Sequence, residues 1–492
     1  MSHALSGHQD PRVPQVLDQV YFLSETQWQQ ARSTLRFDYI VAGGGGCALA
    51  FVERILKRRP RAAILLLDGG PNADCETAQD GASAWCPRPT SDEMAHWPPQ
   101  TILAAQANFA SAEQLLNVVR ADRLPPGPAA ALYGPLQHGL QEILADHLGQ
   151  VDSATRSMAA PLALGSALAR GSSSAPLQAL VLRQQALTQQ GQGTPLRIAT
   201  GCAVRRLHRL GSRVTALDTE RGRLEVGTAK LILAMEAVPA AKLLMDAFPE
   251  HEQIGERYTG HFVTTLTARL PRAAYPFADA LGELEMAALY LAGRNKQSGM
   301  QYHVQLTALS DRAPEHNLAR TLRHLPDALA SVGPAQLASC GEHLVFACAV
   351  LGELDYRNSA NRVRRDGTPE LQPNAADRAT WDTMDEAAFQ LLELALAGGG
   401  AVEYWHEDGQ VWAAGRPALE QRRRPGLVHE GSALWIGEQN ESPVGLDYRL
   451  HGVDNVYITG GALWPAAGSW NPELAMVALS QDLADGFLRD GS

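Results

Sequence analysis

Paired cysteines and metal-binding patterns are missing from this sequence of 492 residues. The six cysteines show neither CxxC spacing nor a neighbouring histidine cluster. This argues against a zinc site and against the disulfide framework of a small secreted protein. Residues 1–15 are polar and have no basic start followed by an apolar stretch. We therefore expect no signal peptide, no bound metal, reduced thiols and a cytoplasmic location.

Long hydrophobic runs and basic stripes are also scarce. Runs such as 62–67 and 231–235 have the length of a strand and fall well short of the roughly 20 residues that span a bilayer. The formal net charge is -11, and the basic residues are dispersed apart from 422–424, so nothing neutralises a nucleic-acid backbone. These absences predict a soluble protein that acts on a small molecule, with no nucleic-acid or membrane partner. They leave the oligomeric state unknown.

A run of glycines follows the first predicted strand. Residues 37–42 predict this strand, 47–57 a helix and 62–68 a second, fully buried strand, which together form one βαβ unit. In the string GGGGCA at 43–48, the first and third glycines allow a tight turn close to a pyrophosphate, and the small Ala48 lets the helix pack on the strand. Asp68, at the end of the second strand, is placed to accept hydrogen bonds from ribose hydroxyls. The candidate dinucleotide contacts are Gly43, Gly44, Gly45, Gly46 and Asp68.

Both features also have plainer interpretations. Four glycines in a row also make a flexible turn, and a carboxylate such as Asp68 is ordinary at a strand end. The free N–H groups at the start of the following helix favour the phosphate interpretation.

Three sequence blocks in the C-terminal part form a specific pattern. They read VHEGSALWIG at 428–437, LHGVDNVYITGGALWP at 450–465 and WNPELAMVAL at 470–479. In this order they resemble the C-terminal signature of the glucose-methanol-choline (GMC) oxidoreductases, which are FAD enzymes that typically oxidise alcohols. Further similar segments, in the family's order, lie at 37–70, 203–207, 231–245, 254–261 and 358–363. The resemblance covers about half of the chain.

The resemblance implies an α/β fold with a Rossmann-like FAD-binding domain of the GMC type and a discontinuous substrate-binding domain built on an antiparallel sheet. We assign 1–36 to an N-terminal extension, with a helix capped by Ser24. The FAD-binding domain takes 37–70, 196–261 and 425–492, and the substrate-side or cap domain takes 71–195 and 262–424. Beyond 425 we expect a loop, then a strand at 455–459 and a helix at 472–488.

By position, His429 corresponds to the family's catalytic histidine and Asn471 to the second residue of its His/Asn pair. Alcohol oxidation needs a base, because a proton leaves the hydroxyl while a hydride goes to flavin N5, and histidine titrates in the right range. Asn471 offers an amide donor and acceptor at the start of a helix. The resemblance also implies cofactor contacts at Val204, Gly460, Gly461, Asn471 and Pro472.

On residue type alone, these assignments have structural alternatives. A lone histidine is often structural, and an asparagine before proline is a common helix cap. We interpret His261, His303 and His451 as structural or surface residues.

The sequence also departs from the family. No copy of the family's GGSSxxN loop occurs between 70 and 204, and the serine-rich run at 171–174 sits too close to the adenine strand. No residue is therefore a candidate for covalent attachment, and FAD is expected to be non-covalent. Glu236, Ala433, Trp435 and Gly460 stand where the family usually has other residues, and an inward-pointing acid at Glu236 could repel the pyrophosphate. The chain resembles a divergent member.

Three functions remain open at this point. The first is an FAD-dependent alcohol oxidase or dehydrogenase with a role in specialised metabolism. The second is a non-redox lyase or decarboxylase on the same scaffold, and the third is a binding or partner protein with a degenerate flavin site. The sequence does not identify the substrate or the electron acceptor, nor does it say whether the missing loop changes the chemistry.

Overall fold

The computed structural model describes residues 22–70, 83–127, 129–164, 175–326, 332–439 and 441–489. Its helices, in chain order, are α1 (Glu25–Ser33), α2 (Gly46–Arg58), α3 (Pro99–Leu116), α4 (Pro135–His147), α5 (Ala175–Gln189), α6 (Ala237–Ala247), α7 (Pro314–His324), α8 (Pro334–Leu337), α9 (Ala375–Gln390), α10 (Leu419–Arg422) and α11 (Glu473–Arg489). Its strands are β1 (Tyr39–Ala42), β2 (Ile64–Leu67), β3 (Ser83–Trp85), β4 (Val118–Arg120), β5 (Ala154–Ala159), β6 (Pro161–Leu164), β7 (Arg197–Ala199), β8 (Val204–Leu210), β9 (Arg213–Thr219), β10 (Gly222–Glu225), β11 (Lys230–Leu233), β12 (Thr259–Pro271), β13 (Leu284–Arg294), β14 (Gln301–Asp311), β15 (His343–Glu353), β16 (Arg362–Val363), β17 (Pro369–Glu370), β18 (Glu403–His406), β19 (Val411–Ala413), β20 (Arg423–Gly431), β21 (Ile436–Gly437), β22 (Val444–Gly445) and β23 (Val456–Ile458).

A five-stranded parallel sheet has the order β23-β11-β1-β2-β7. Its strands come from the segments predicted to bind FAD, and we call this part of the molecule the cofactor side. β1 and β2 are buried along their whole length, as continuous apolar runs in parallel sheets are. Helix α2 follows β1 and packs against α11, which also packs against α3. The predicted βαβ unit is confirmed, although its first strand begins at Tyr39 rather than at 37.

The N-terminal helix predicted after Ser24 is also present. The backbone N–H of Gln27 donates to Oγ of Ser24, and the N–H of Ser24 donates to Oε1 of Gln27, so the two residues form a capping box. Trp28 is fully buried, and its indole N–H donates to the carbonyl of Arg221 over 2.7 Å. This contact anchors α1 on the small antiparallel sheet β10-β9-β8.

A large antiparallel sheet has the order β19-β18-β12-β15-β14-β13-β5, and β20 also pairs with β12. Most of its strands come from the segments predicted to form the substrate-side domain, so we call it the substrate-side sheet. The expectation of a loop beyond 425 was wrong in part, because β20 continues through Pro425 to Gly431. A proline has no N–H to give to a ladder and is tolerated at the edge of a sheet. As a result, His429 lies on a strand of the substrate-side sheet.

Helix α3 packs on the core of the parallel sheet, although the predicted domain boundaries place 71–195 in the substrate-side domain. Ala105, Phe109, Ala112 and Leu116 join the core cluster that also contains the strands of the parallel sheet. The serine-rich run at 171–174 lies outside the described residues. Over the part of the chain that the structure describes, no helix has the length and apolarity needed to cross a membrane.

Candidate active site

Gly43 is the point where the chain turns from β1 towards α2. Its φ of 120° lies in the region that favours glycine, and a Cβ there would sit 2.6 Å from the carbonyl carbon of Ala234, next to β11. Gly45, in contrast, has a φ of -80° at the start of α2 and open space around it. The backbone at Gly45, where α2 starts, therefore borders open space, and the free N–H groups of a helix N-terminus suit an anion.

Two adjoining cavities follow this loop. The larger, about 770 Å³, extends from Asp68 along the glycines at 43–46, and the smaller, about 400 Å³, extends from the loop to His429. Residues that border both cavities join them into one groove: Gly45, Gly46, Ala234, Met235, Glu236 and Glu473. Such volumes are typical of small-molecule and cofactor sites.

The predicted cofactor residues are distributed along this groove. Asp68 and Val204 border the end that is remote from His429, and the N–H of Gly70 donates to Oδ1 of Asp68 over 3.0 Å. The end next to His429 is bordered by Gly460, Gly461 and Pro472. The predicted cofactor residues other than Asn471 therefore line one continuous surface.

His429 is held in an uncommon backbone conformation in β20. Its φ is 54°, which is rare for a residue other than glycine and is more frequent at functional sites. The pairing of β20 with β12 is irregular on both sides of His261. Nδ1 of His261 lies 3.0 Å from Nδ1 of His429, and the two rings meet edge to face with centroids 5.1 Å apart. His261 also lies parallel to the ring of Trp464.

The contact between the two Nδ1 atoms requires a proton on one of them. Nε2 of His261 faces the carbonyl oxygen of Ala467 at 3.4 Å, and a carbonyl only accepts hydrogen bonds. His261 therefore carries its proton on Nε2 and accepts at Nδ1 from His429. This assigns the Nδ1–H tautomer to neutral His429 and leaves its Nε2 unprotonated.

His261 is suited to remain neutral. Its side chain is fully buried. Desolvation by burial, together with the neighbouring His429, holds the pKa of His261 well below its usual value. When His429 takes up a proton on Nε2, its Nδ1–H can still donate to His261. The pair accommodates a protonated His429 without any rearrangement of the hydrogen bond.

Asn471 faces the antiparallel sheet. It is buried, and its Oδ1 accepts a hydrogen bond from Nε2 of Gln305 in β14. Two residues earlier, Oγ of Ser469 lies 2.6 Å from Nδ1 of His303 in the same strand. His303 and Gln305, two residues apart in β14, therefore form hydrogen bonds with Ser469 and Asn471, two residues apart in the segment before α11. His429 therefore contacts His261, and Asn471 contacts Gln305. Both of these partners belong to the substrate-side sheet.

An ion pair between Glu93 and Arg156 contacts His303, the partner of Ser469, on its other ring nitrogen. Oε1 of Glu93 lies 3.1 Å from Nε2 of His303 and 2.8 Å from the guanidinium of Arg156. Burial by itself would raise the pKa of Glu93, but the hydrogen bond to His303 and the charges of His303 and Arg156 outweigh it and lower the pKa to about 2. Glu93 is therefore an anion at neutral pH that fixes His303.

Two carboxyl groups border the groove. Glu236 precedes α6 and is exposed. It borders both cavities of the groove, as its position in the sequence suggested. Glu473, the first residue of α11, borders both cavities, and desolvation raises its pKa. Sequence reasoning missed both Glu473 and His261. The available signal for His261 was its place in the family-like segment 254–261.

Comparisons with known proteins reveal a relationship in structure only. No protein-family model and no curated protein sequence matches the chain. Among solved structures, the chain is similar to pyridoxine 4-oxidase from Mesorbium loti, with a TM-score of 0.53 and 14% sequence identity, over 92% of this chain and 99% of that chain. At this identity the similarity concerns the fold alone, which is a mixed α/β fold with several sheets.

Proposed function

We propose that this protein is an FAD-dependent oxidoreductase that oxidises an alcohol, with His429 as the base. The observation that carries the proposal is the His261–His429 contact of 3.0 Å between Nδ1 atoms at the end of a groove lined by the glycine loop. A histidine with an unprotonated Nε2 beside a cofactor-sized groove is what proton removal from a hydroxyl requires.

The groove is consistent with an FAD in three respects. A Cβ at Gly45 would point into open space, so glycine at this position leaves the backbone accessible to a pyrophosphate. The N-terminus of α2 offers N–H groups to phosphate oxygens. Asp68 borders the opposite end, where it suits ribose hydroxyls. The residues that would hold the cofactor are therefore those at 43–46, Asp68, Val204, Gly460, Gly461 and Pro472.

The reaction divides between the chain and the cofactor. FAD, when bound, supplies the acceptor for the hydride that leaves the carbon of the alcohol. His429 takes the hydroxyl proton on Nε2, and the alcohol becomes a carbonyl compound. Gln305 donates to Oδ1 of Asn471, which fixes the amide with its Nδ2 hydrogens on the opposite side. In the proposed reaction, the Nδ2 group of Asn471 donates to the substrate oxygen as negative charge develops on it.

Anaerobic titration with a panel of alcohols tests this proposal, because one equivalent of substrate bleaches a bound flavin without any second acceptor. The purified protein is expected to be yellow, to release FAD on denaturation, and to bleach with a subset of alcohols. His429→Gln should keep the flavin and slow bleaching by about 10²–10⁴-fold, the usual contribution of a general base. His451→Gln is the matched control, since His451 lies on the same C-terminal segment and the groove is lined by other residues.

Three results would contradict the proposal. Unchanged bleaching in His429→Gln would remove the base from the mechanism. A flavin that no alcohol reduces, in a protein that nevertheless cleaves a substrate, would favour a lyase or decarboxylase. Protein that takes up no FAD on titration would favour a binding protein with a degenerate site.

A further inference from the structure

Glu473 places a carboxyl group inside the proposed flavin groove. Its Oε1 fills the space that a Cβ on Gly46 would occupy, at the first residue of α2 and therefore at the helix N-terminus where phosphate groups bind. Glu473 borders both cavities of the groove. Among the described residues, none forms a hydrogen bond or an ion pair with this carboxyl group.

The surroundings of Glu473 contain more acids than bases. Cys47 from α2 and Cys86 from the segment before α3 lie close enough that, after burial, the charge of Glu473 contributes to raising the pKa of both thiols. The remaining titratable groups that border the same cavities are Asp68, Arg205, Glu236, His429 and Glu430. Arg205 and His429 lie towards opposite ends of the groove, so the basic groups flank the position of Glu473 from a distance. Desolvation in this enclosed position raises the pKa of Glu473.

We infer that the flavin dinucleotide binds this chain with Glu473 in its protonated form, so that the carboxyl donates a hydrogen bond to the cofactor. The inference rests on the proposed function. A pyrophosphate at the start of α2 brings negative charge beside Glu473, and two anions in a desolvated site oppose each other. A neutral carboxylic acid has a hydrogen to donate and removes this repulsion. Glu473 is then a cofactor-binding residue of unusual type.

The consequence is that FAD binding takes up a proton. Bound FAD raises the pKa of Glu473 above its already raised value in the free protein, because the cofactor is an anion. Affinity for FAD is constant below the pKa of the free protein and falls as pH rises between the two pKa values. One proton linked to binding gives a fall of about ten-fold in affinity per pH unit in that window.

The test is a titration of the full-length apoprotein with FAD, followed by flavin fluorescence at intervals from about pH 5.5 to about pH 8.5. For the native chain we expect the affinity to fall by about 10–100-fold over this range. Glu473→Gln keeps the shape and the hydrogen-bond donor and cannot ionise, so its affinity should be high and change by less than about three-fold. Any pH dependence that remains in this variant comes from the other titratable groups that border the groove.

Glu236→Gln is the comparison variant, because it removes a groove carboxyl that is exposed to water. It should shift the affinity uniformly by less than about three-fold and keep the native pH slope, since water screens an exposed charge. Calorimetry in two buffers of different ionisation enthalpy gives an independent measurement of the proton taken up.

The outcomes separate this inference from the proposed function. Equal pH slopes in the native chain and in Glu473→Gln, or a slope abolished by Glu236→Gln instead, would overturn the role of Glu473 while leaving FAD binding intact. Absence of FAD binding in the native chain and in Glu473→Gln at every pH would overturn the proposed function, and the inference with it. Binding by Glu473→Gln alone would show that Glu473 excludes FAD from the native chain, and this would overturn the inference.

Discussion

Replacing His261 separates its role as a hydrogen-bond acceptor from its bulk. His261→Leu removes the acceptor for Nδ1–H of His429, whereas His261→Asn keeps an acceptor oxygen at the δ position of the side chain. Both substitutions leave His429 itself in place. If His261 sets the tautomer of His429, the two variants must differ in chemistry and not only in stability.

The size of the effect follows from the contacts of His261. In the alternative tautomer pair, His261 would lose its Nε2–H bond to Ala467, worth about 1 kcal/mol, and would bury two opposed acceptors at a cost of about 1–3 kcal/mol. The assigned pair is therefore favoured by about 2–4 kcal/mol, or a population ratio of at least about 30:1. In His261→Leu this preference disappears, which by itself slows the reaction only about two-fold. The variant also loses the hydrogen bond that Nδ1–H of protonated His429 donates to His261, and a hydrogen bond from a charged group contributes about 1.5–3 kcal/mol. We expect bleaching by an alcohol to slow by about 10–100-fold, and His261→Asn to recover most of the rate.

The tautomer can be measured without any substrate. In protein labelled with ¹⁵N-histidine, two-bond ¹H–¹⁵N correlations distinguish a protonated from an unprotonated ring nitrogen, and the signals of His429 are those that disappear in His429→Gln. We expect a protonated Nδ1 and an unprotonated Nε2 in His429 of the native chain, and the opposite pattern in His261. In His261→Leu the signals of His429 should indicate a mixture of tautomers.

Two results would refute this reasoning. A proton on Nε2 of neutral His429 in the native chain would show that His261 donates at the Nδ1 contact and that His429 accepts. An unchanged bleaching rate and pH profile in His261→Leu would show that His261 only fills space beside Trp464.

Two further predictions concern stability. Gly43→Ala should lower the free energy of unfolding in denaturant titrations by about 2–4 kcal/mol, because a Cβ would collide with Ala234 and the φ of 120° disfavours any other residue. Gly45→Ala is the control, since a Cβ there meets open space, and it should lower the free energy of unfolding by less than about 1 kcal/mol. Burial raises the pKa of Glu353 to about 7, so the folded state loses stability as pH rises from about 4.5 to about 7. In thermal melts Glu353→Gln should gain up to about 3 kcal/mol at pH 8 and less than about 1 kcal/mol at pH 5. An equal gain at both pH values would contradict the assignment.

Elements with a strong local pattern could be predicted from the sequence. The βαβ unit combines two apolar runs with a glycine turn, and the helix after Ser24 has a capping residue and its partner Gln27 within four positions. The C-terminal helix predicted from Pro472 begins one residue later, at Glu473, because proline is favoured where a helix starts. In each of these cases the residues that determine the element lie within a few positions of one another.

The arrangement of the candidate site could not be predicted, because its partners are far apart in sequence. His261 and His429 are separated by 168 residues, and Gln305 and Asn471 by 166. Strand β20 was missed because Pro425 indicates a loop when its neighbours are unknown, and its partner β12 lies more than a hundred positions earlier. Glu473 suggested nothing unusual, since an acid in the first turn of a helix is ordinary.

The substrate-side sheet orients both candidate catalytic side chains, although these belong to the C-terminal segment. His261 is paired in register with Glu353, and Gln301, His303 and Gln305 alternate along β14, so their side chains project from one face of the sheet. Through His261 and Gln305, this face sets the tautomer of His429 and the amide orientation of Asn471. A change in this sheet that adapts the pocket to a new substrate would therefore also act on the base and on its partner. The sheet should be under constraint from the chemistry as well as from the substrate.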